Sequence, residues 1–167
     1  MKGIQFTGIP SSDELARCSG IPSDKRLKKG RVACIECVQE IPCNPCEGAC
    51  RFGAITVGEQ ITSLPVLHEE NCVGCGNCVV NCSGLAITIL DWTYSETMAT
   101  IDFPFEYLPL PKEGDVVDAV GRDGQKICDG TIVKILQSPA YEGTTVIRMA
   151  IPKEHIHNVR SMKRLSR

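Results

Sequence analysis

Four cysteines at intervals of two, two and three residues, in Cys72-Val73-Gly74-Cys75-Gly76-Asn77-Cys78-Val79-Val80-Asn81-Cys82, constrain this chain more than any other feature. Three thiols so close in sequence need a common centre, and the loop must wind round it to deliver them. Gly74 and Gly76 let the backbone turn tightly and approach that centre. The fourth cysteine begins a new turn and points away, so it must serve a second centre. The sequence supplies the partner. Shifted by 32 positions, Cys43, Cys46 and Cys50 fall on Cys75, Cys78 and Cys82, and Ala54-Ile55-Thr56-Val57 falls on Ala86-Ile87-Thr88-Ile89. Three cysteines and an adjoining strand repeating in register read as an internal duplication of a cysteine-loop–helix–strand unit.

What the thiols hold follows from their number and setting. There are 11 cysteines, ten of them between Cys18 and Cys82, while aromatic residues make up only 5% of the chain. The cysteine-rich half therefore lacks the bulky groups that fill a core, and cross-links must substitute for packing. Disulfides would do this in an oxidising compartment, and metal ligation in a reducing one. The odd count leaves one thiol over in any all-disulfide scheme. The opening residues 1–12 hold no apolar run long enough for a signal peptide, and no apolar stretch reaches membrane-spanning length. Cytoplasmic, metal-bound thiolates are the expectation. Zinc ribbons also use cysteine pairs, but they set the pairs far apart and need no third cysteine in the loop. The two–two–three spacing is that of a loop wrapped round a four-iron cubane, whose fourth cysteine crosses to a second cluster.

That crossover assigns two 4Fe–4S clusters. Cys37, Cys43, Cys46 and Cys82 are expected to hold one, and Cys50, Cys72, Cys75 and Cys78 the other. The copies differ at the first ligand, because the position matching Cys72 is Glu40. Cys37 and Cys34 are the candidates. Cys37 is preferred because it needs the smaller insertion and Pro42 can shape the detour. Cys34, Cys18 and Cys128 then read as small apolar side chains. His68 sits in a polar loop and is expected to be solvated, and His155 with His157 lacks a third ligand.

Around this module, 34–103, the chain changes character. Residues 1–33 read as a helical arm: Ser11 with Glu14 fits a capping box and Ser23 can cap a second short helix. Such helices bury little alone and must pack on the chain's own core or on a partner. Residues 86–92 and 98–103 form a β-hairpin extension, with Trp92 closing the module's core. Pro104, Pro109 and Pro111 mark a linker over 104–113. Over 114–159, short β runs broken at Asp123-Gly124 and Asp129-Gly130 suggest a small barrel-like or sandwich-like β domain. Residues 160–167, with Arg160, Lys163, Arg164 and Arg167, form a basic, solvated tail. The expected class is α+β: a duplicated ferredoxin-like dicluster module with a helical arm and a small C-terminal all-β domain.

Net charge is −2, which gives no basic footprint for nucleic acid. No Gly-rich nucleotide loop, nucleophile elbow or triad is evident, so no catalytic residue is expected on this chain. Residues 37–86 resemble the two-cluster bacterial ferredoxins. Those proteins usually carry proline after the fourth cysteine, where this chain has Arg51 and Ser83. The change leaves the ligands intact but alters exposure and hydrogen bonding at the clusters. The wider run Val32-Ala33-Cys34-Ile35-Glu36-Cys37-Val38-Gln39-Glu40-Ile41-Pro42-Cys43-Asn44-Pro45-Cys46 is similar to the ferredoxin-like subunit of multi-subunit, flavin-dependent amino-acid dehydrogenases. The C-terminal stretch 112–154, from Lys112-Glu113-Gly114-Asp115-Val116-Val117 through Ile151-Pro152-Lys153-Glu154, resembles that family's small β domain. The resemblance implies partner subunits carrying FAD or FMN that oxidise proline-, hydroxyproline- or opine-type amines, in a hetero-oligomer where this chain relays single electrons. A stand-alone, diffusible ferredoxin with an accessory domain is the alternative.

Overall fold

The computed structural model describes residues 2–166; Met1 and Arg167, the latter counted above in the basic tail, lie outside the described residues. The chain is α+β, a mostly antiparallel sheet with a few short helices. The arm forms α1 (Ile4–Thr7), α2 (Ser12–Ala16) and α3 (Asp24–Leu27). Local chemistry sets two of the starts. The Glu14 amide donates to Ser11 Oγ (3.3 Å) while the Ser11 amide donates to Glu14 Oε2 (2.6 Å), completing the capping box. Ser23 Oγ accepts from the Arg26 amide at 3.1 Å and caps α3. The arm lies on the chain's own core, with Cys18 and Leu27 buried and the Leu67 amide donating to the Ser19 carbonyl at 3.0 Å.

Next come β1 (Val32–Ile35), α4 (Pro45–Ala49), β2 (Ile55–Thr56), β3 (Val66–Leu67) and α5 (Asn77–Val80). The hairpin expected after the cysteines is present as β4 (Ile87–Asp91) and β5 (Met98–Pro104), with Leu90 opposite Ile101. The last strands are β6 (Val116–Val120), β7 (Lys126–Leu136), β8 (Val146–Pro152) and β9 (Ser161–Met162). Seven of these strands make one sheet in the order β1-β4-β5-β8-β7-β6-β9, and β2 with β3 makes a second.

That order changes how the C-terminal residues relate to the module. The sequence suggests a separate barrel-like unit over 114–159, but β8 pairs with β5 along seven residues, so the sheet continues without a break. Two further expectations are corrected. Asp129-Gly130 is not a turn: it lies inside β7. A Cβ at Gly130 would collide with the Met149 side chain from β8, so the glycine serves close packing. The turn falls at Asp123-Gly124 alone, where Gly124 has φ +73° and the Gln125 amide bonds Asp123 Oδ1 at 3.0 Å. Nor is the end of the chain only a solvated tail, since β9 pairs with β6 and the Arg160 side chain is 12% exposed.

The core lies mainly on β5 and β8: Ile101, Phe103, Ile147, Met149 and Ile151 are all at most 1% exposed. β1 is buried along its whole length although it ends the sheet. Its outward amides are used elsewhere: Ile35 N–H donates to the Gly20 carbonyl (2.9 Å) and Ala33 N–H to Cys72 Sγ (3.4 Å). The arm and the cysteine loop thus cover an edge that would otherwise invite another strand. Trp92 packs against the core with Lys153 Nζ 5.5 Å from its ring centroid.

Candidate iron–sulfur site

The cysteines gather in two pockets. Cys50, Cys72, Cys75 and Cys78 line one, together with Ala33, Ile55 and Ile89. Cys37, Cys43, Cys46 and Cys82 line the other, beside Ile35, Ile41 and Ile87. Each pocket takes three cysteines from its own loop and one from the other copy. Helices arrange this exchange. Cys46 lies in the first turn of α4 and Cys78 in the first turn of α5, while Cys50 and Cys82 follow the ends of those helices and face across.

Backbone geometry supports the loops. Gly74 has φ +64° and Gly76 φ +90°, both in the region that favours glycine. A Cβ on Gly74 would stand 2.5 Å from Arg31 Cβ, so the loop lies against the chain just before β1. Main-chain amides point at three sulfurs: Ala33 N–H at Cys72 Sγ (3.4 Å), Ala54 N–H at Cys50 Sγ (3.3 Å) and Ala86 N–H at Cys82 Sγ (3.4 Å). Donors of this kind favour thiolate over thiol.

Burial alone would keep Cys37, Cys46 and Cys78 protonated. Burial pushes the Cys78 thiol up to about 12, and the charges of Cys72, Cys75 and Cys50 push the same way. Cys37 and Cys46 are raised as well, by burial first and then by Cys82. Four thiolates in an apolar pocket need cations among them; bound iron would supply that charge, and the thiol protons would leave as it binds. Among the described residues, no three His, Cys, Asp or Glu side chains converge as ligands of a single ion do. Zinc draws its thiolates to about 2.3 Å of one point. A cubane instead presents four irons at separate corners, and sulfurs lining the walls of an apolar pocket fit that demand.

Cys34 is elsewhere. It lies in β1, 1% exposed, opposite Thr88 on β4. Burial pushes its thiol up to about 12, and Arg160 partly opposes the rise. Cys18 is buried with its thiol 3.0 Å from the Ile35 carbonyl, and Cys128 is half-buried on β7. His68 Nε2 lies 2.9 Å from Thr56 Oγ1, and His157 Nε2 is 3.2 Å from Asp24 Oδ1.

Charged side chains beside the pockets escape sequence reasoning. Asp102 on β5 accepts from Arg31 (2.7 Å) and twice from Arg148 (2.8 and 2.9 Å), and the same Arg31 reaches the Gly74 carbonyl at 3.3 Å. Glu36, next to Cys37, is held by Arg122 Nε and Arg160 Nε, each at 2.8 Å. Burial raises the Glu36 carboxyl, and the two guanidiniums more than reverse this. The available signal was a lone charge inside an apolar strand: Ile101-Asp102-Phe103 faces Ile147-Arg148-Met149 in register.

No protein-family model matches the chain, and no solved structure does. Curated proteins do. Protein Pixie of Drosophila melanogaster is 34% identical over 126 residues, 70% of this chain and 19% of its own length. Translation initiation factor RLI1 of Chaetomium thermophilum is 33% identical over 135 residues, 75% of this chain and 20% of its own. The polyferredoxin-like subunit of an aliphatic sulfonate oxidoreductase of Pyrococcus furiosus is 41% identical over 51 residues, 30% of this chain and 27% of its own. Of these, the Pyrococcus protein is polyferredoxin-like by name. The matches support an iron–sulfur, electron-transfer role, and the chain spans between a fifth and about a quarter of these relatives' length. No helix among the described residues is long and apolar enough to cross a membrane.

Proposed function

We propose that this chain is an electron-relay subunit that holds two 4Fe–4S clusters and docks on flavin-bearing subunits of an amino-acid dehydrogenase. The first cluster would be held by Cys37, Cys43, Cys46 and Cys82, and the second by Cys50, Cys72, Cys75 and Cys78. The observation that carries the reading is the pair of four-cysteine pockets with exchanged fourth members. Internal duplication supports it, since the 32-residue shift lays α4 over α5 and β2 on the first half of β4. Bound there, the clusters supply one-electron carriage, which lets a two-electron flavin be emptied in single steps. The chain's own residues fix the thiols, exclude water with Ile35, Ile55, Ile87 and Ile89, and present amides to the sulfurs. Catalysis belongs to the partner on this reading. The likeness to a subunit of another oxidoreductase favours a docked relay over a diffusible carrier.

The likeness to translation initiation factor RLI1 covers more of the chain and favours a second reading, an iron–sulfur module serving the translation machinery. Anaerobic purification from the native host distinguishes them, with an absorption spectrum, iron and sulfide analysis and identification of co-eluting chains. About eight irons per chain with flavoproteins at fixed stoichiometry is the expected result. Co-elution with translation components would favour the second reading, and a colourless protein would refute both. Cys37→Ala should lose about half the iron while Cys34→Ala keeps it; the reverse would overturn the ligand assignment.

A further inference from the structure

Arg26 is a buried cation with no carboxylate on it. Its residue is 7% exposed. Its guanidinium donates to the carbonyls of Glu69 (2.8 Å), Gly30 (3.1 Å), Arg31 (3.0 Å) and Cys72. Among the described residues, none of the ion pairs includes it. The Glu69 carboxylate takes its hydrogen bonds from Ser23 instead, through the amide and the hydroxyl, both at 2.7 Å. Main-chain dipoles solvate such a charge but do not neutralise it, and an uncompensated buried charge is strongly unfavourable. The Glu69 carboxylate, held lower by Ser23 and in part by Arg26, offsets some of this charge from the solvent side, and the Cys72 side is left to a second anion.

The Cys72 contact shows where. Arg26 grips the backbone of a residue whose sulfur lines the second pocket with Cys50, Cys75 and Cys78. Four thiolates give a cluster held there a net negative charge, and reduction adds one more. A fixed cation beside it offsets that charge and favours the reduced form, so it raises the reduction potential. The first pocket is arranged differently. The arginines held at Glu36, the residue before Cys37, are Arg122 and Arg160, and both are engaged by its carboxylate.

We infer that Arg26 is the counter-charge of the cluster held by Cys50, Cys72, Cys75 and Cys78, and makes that cluster the higher-potential one of the two. The inference rests on the two-cluster reading above. Arg26 acts through the Cys72 loop and through its field, as a positioning residue rather than a ligand. Cys75, the exposed member of this set, then places the higher-potential site at the protein surface.

The test is an anaerobic redox titration of the loaded protein followed by electron paramagnetic resonance, on wild type, Arg26→Gln, Arg26→Lys and Cys75→Ser. In Arg26→Gln the higher midpoint should fall and the lower stay. At a fixed ambient potential, the reduced-to-oxidised ratio of that cluster should drop about tenfold, which is about 59 mV for a one-electron couple. Arg26→Lys keeps the charge and should keep most of the potential. Cys75→Ser should alter the signal of the higher-potential centre, which needs no Arg26 variant to fold. Unmoved midpoints, equal shifts of both, a lysine variant as low as glutamine, or a Cys75→Ser change in the lower-potential signal would each overturn the role of Arg26. A wild-type chain that takes up no iron would remove the cluster reading, and this inference with it.

Discussion

Between Cys37 and Cys82 the chain makes two strands of two residues and helices of five and four, whereas β5, β7 and β8 run for seven, eleven and seven residues. The same contrast appears in burial. β5 and β8 contribute Ile101, Phe103, Ile147, Met149 and Ile151 to the fully buried core, while Ile41, Phe52, Ile61 and Val73 around the pockets are about half exposed. One region closes on apolar side chains and a hydrogen-bonded ladder. The other has little of either, and eight thiols in their place. A chain segment with so little burial cannot offset its conformational entropy by itself. Ligation must supply the difference, as it does in small metal-bound domains.

Removing the iron should therefore produce the largest effect, and an unequal one. After chelation under reducing conditions, amides between Cys37 and Cys82 are expected to lose nearly all protection from hydrogen exchange. Those of β5, β7 and β8 should keep theirs. Uniform loss across the sheet would show that the two regions fold as one unit, and the comparison would fail.

Phe103→Ala strikes the other region. Phe103 is 1% exposed and meets Phe105 edge-on, with ring centroids 6.5 Å apart. Truncating it leaves a cavity and should cost about 4 kcal/mol. Denaturant unfolding should show a similar loss in the loaded and iron-free protein, with iron content unchanged. A variant that folds but sheds iron would mean that the sheet holds the pockets in place.

The two regions were unequally legible in the sequence. Ligand positions are spaced by covalent chain length, so the cysteine pattern set out two groups of four, with Cys37 preferred over Cys34 for the first place. Alternating and β-branched runs likewise revealed β4, β5, β7 and β8. Sheet continuity was hidden, because β5–β8 pairing joins residues about 50 apart and no local pattern encodes it. Asp129-Gly130 misled for the same reason: the dipeptide suits a turn, but Met149 on a neighbouring strand decides its conformation. The arginines were hidden too. A guanidinium aimed at a carbonyl 46 residues away, as Arg26 is at Cys72, looks like any surface cation until the chain is folded.

A smaller effect probes the seam. Asp102 joins Arg31, beside the cysteine loop, to Arg148 on β8, and its side chain is 4% exposed against 27% and 26% for the arginines. Asp102→Asn leaves two guanidiniums facing each other without their anion. A fully buried pair broken this way costs more, but both arginines reach solvent, so a loss of about 2 kcal/mol is expected. Asp102→Asn measured with and without iron shows whether the seam survives when the pockets empty. An equal loss in both states places Arg31 with the sheet, and a loss seen only in the loaded protein places it with the cysteine loops.

The smallest effect decides where the arm belongs. Ser23 caps α3 through the Arg26 amide at 3.1 Å, and its hydroxyl also donates to Glu69 Oε1 at 2.7 Å. Ser23→Ala removes both and should cost about 1 kcal/mol in the loaded protein, the usual value for a lost N-cap. Arg26 on this helix holds the carbonyls of Glu69 and Cys72, so the cap also supports the second cysteine loop. If the arm is part of the cysteine region, the same substitution in the iron-free protein should cost almost nothing, because the helix will already have come away. An undiminished 1 kcal/mol there would instead assign α3 to the sheet, through buried Leu27. The boundary between the two regions would then fall at Cys37 rather than within the arm.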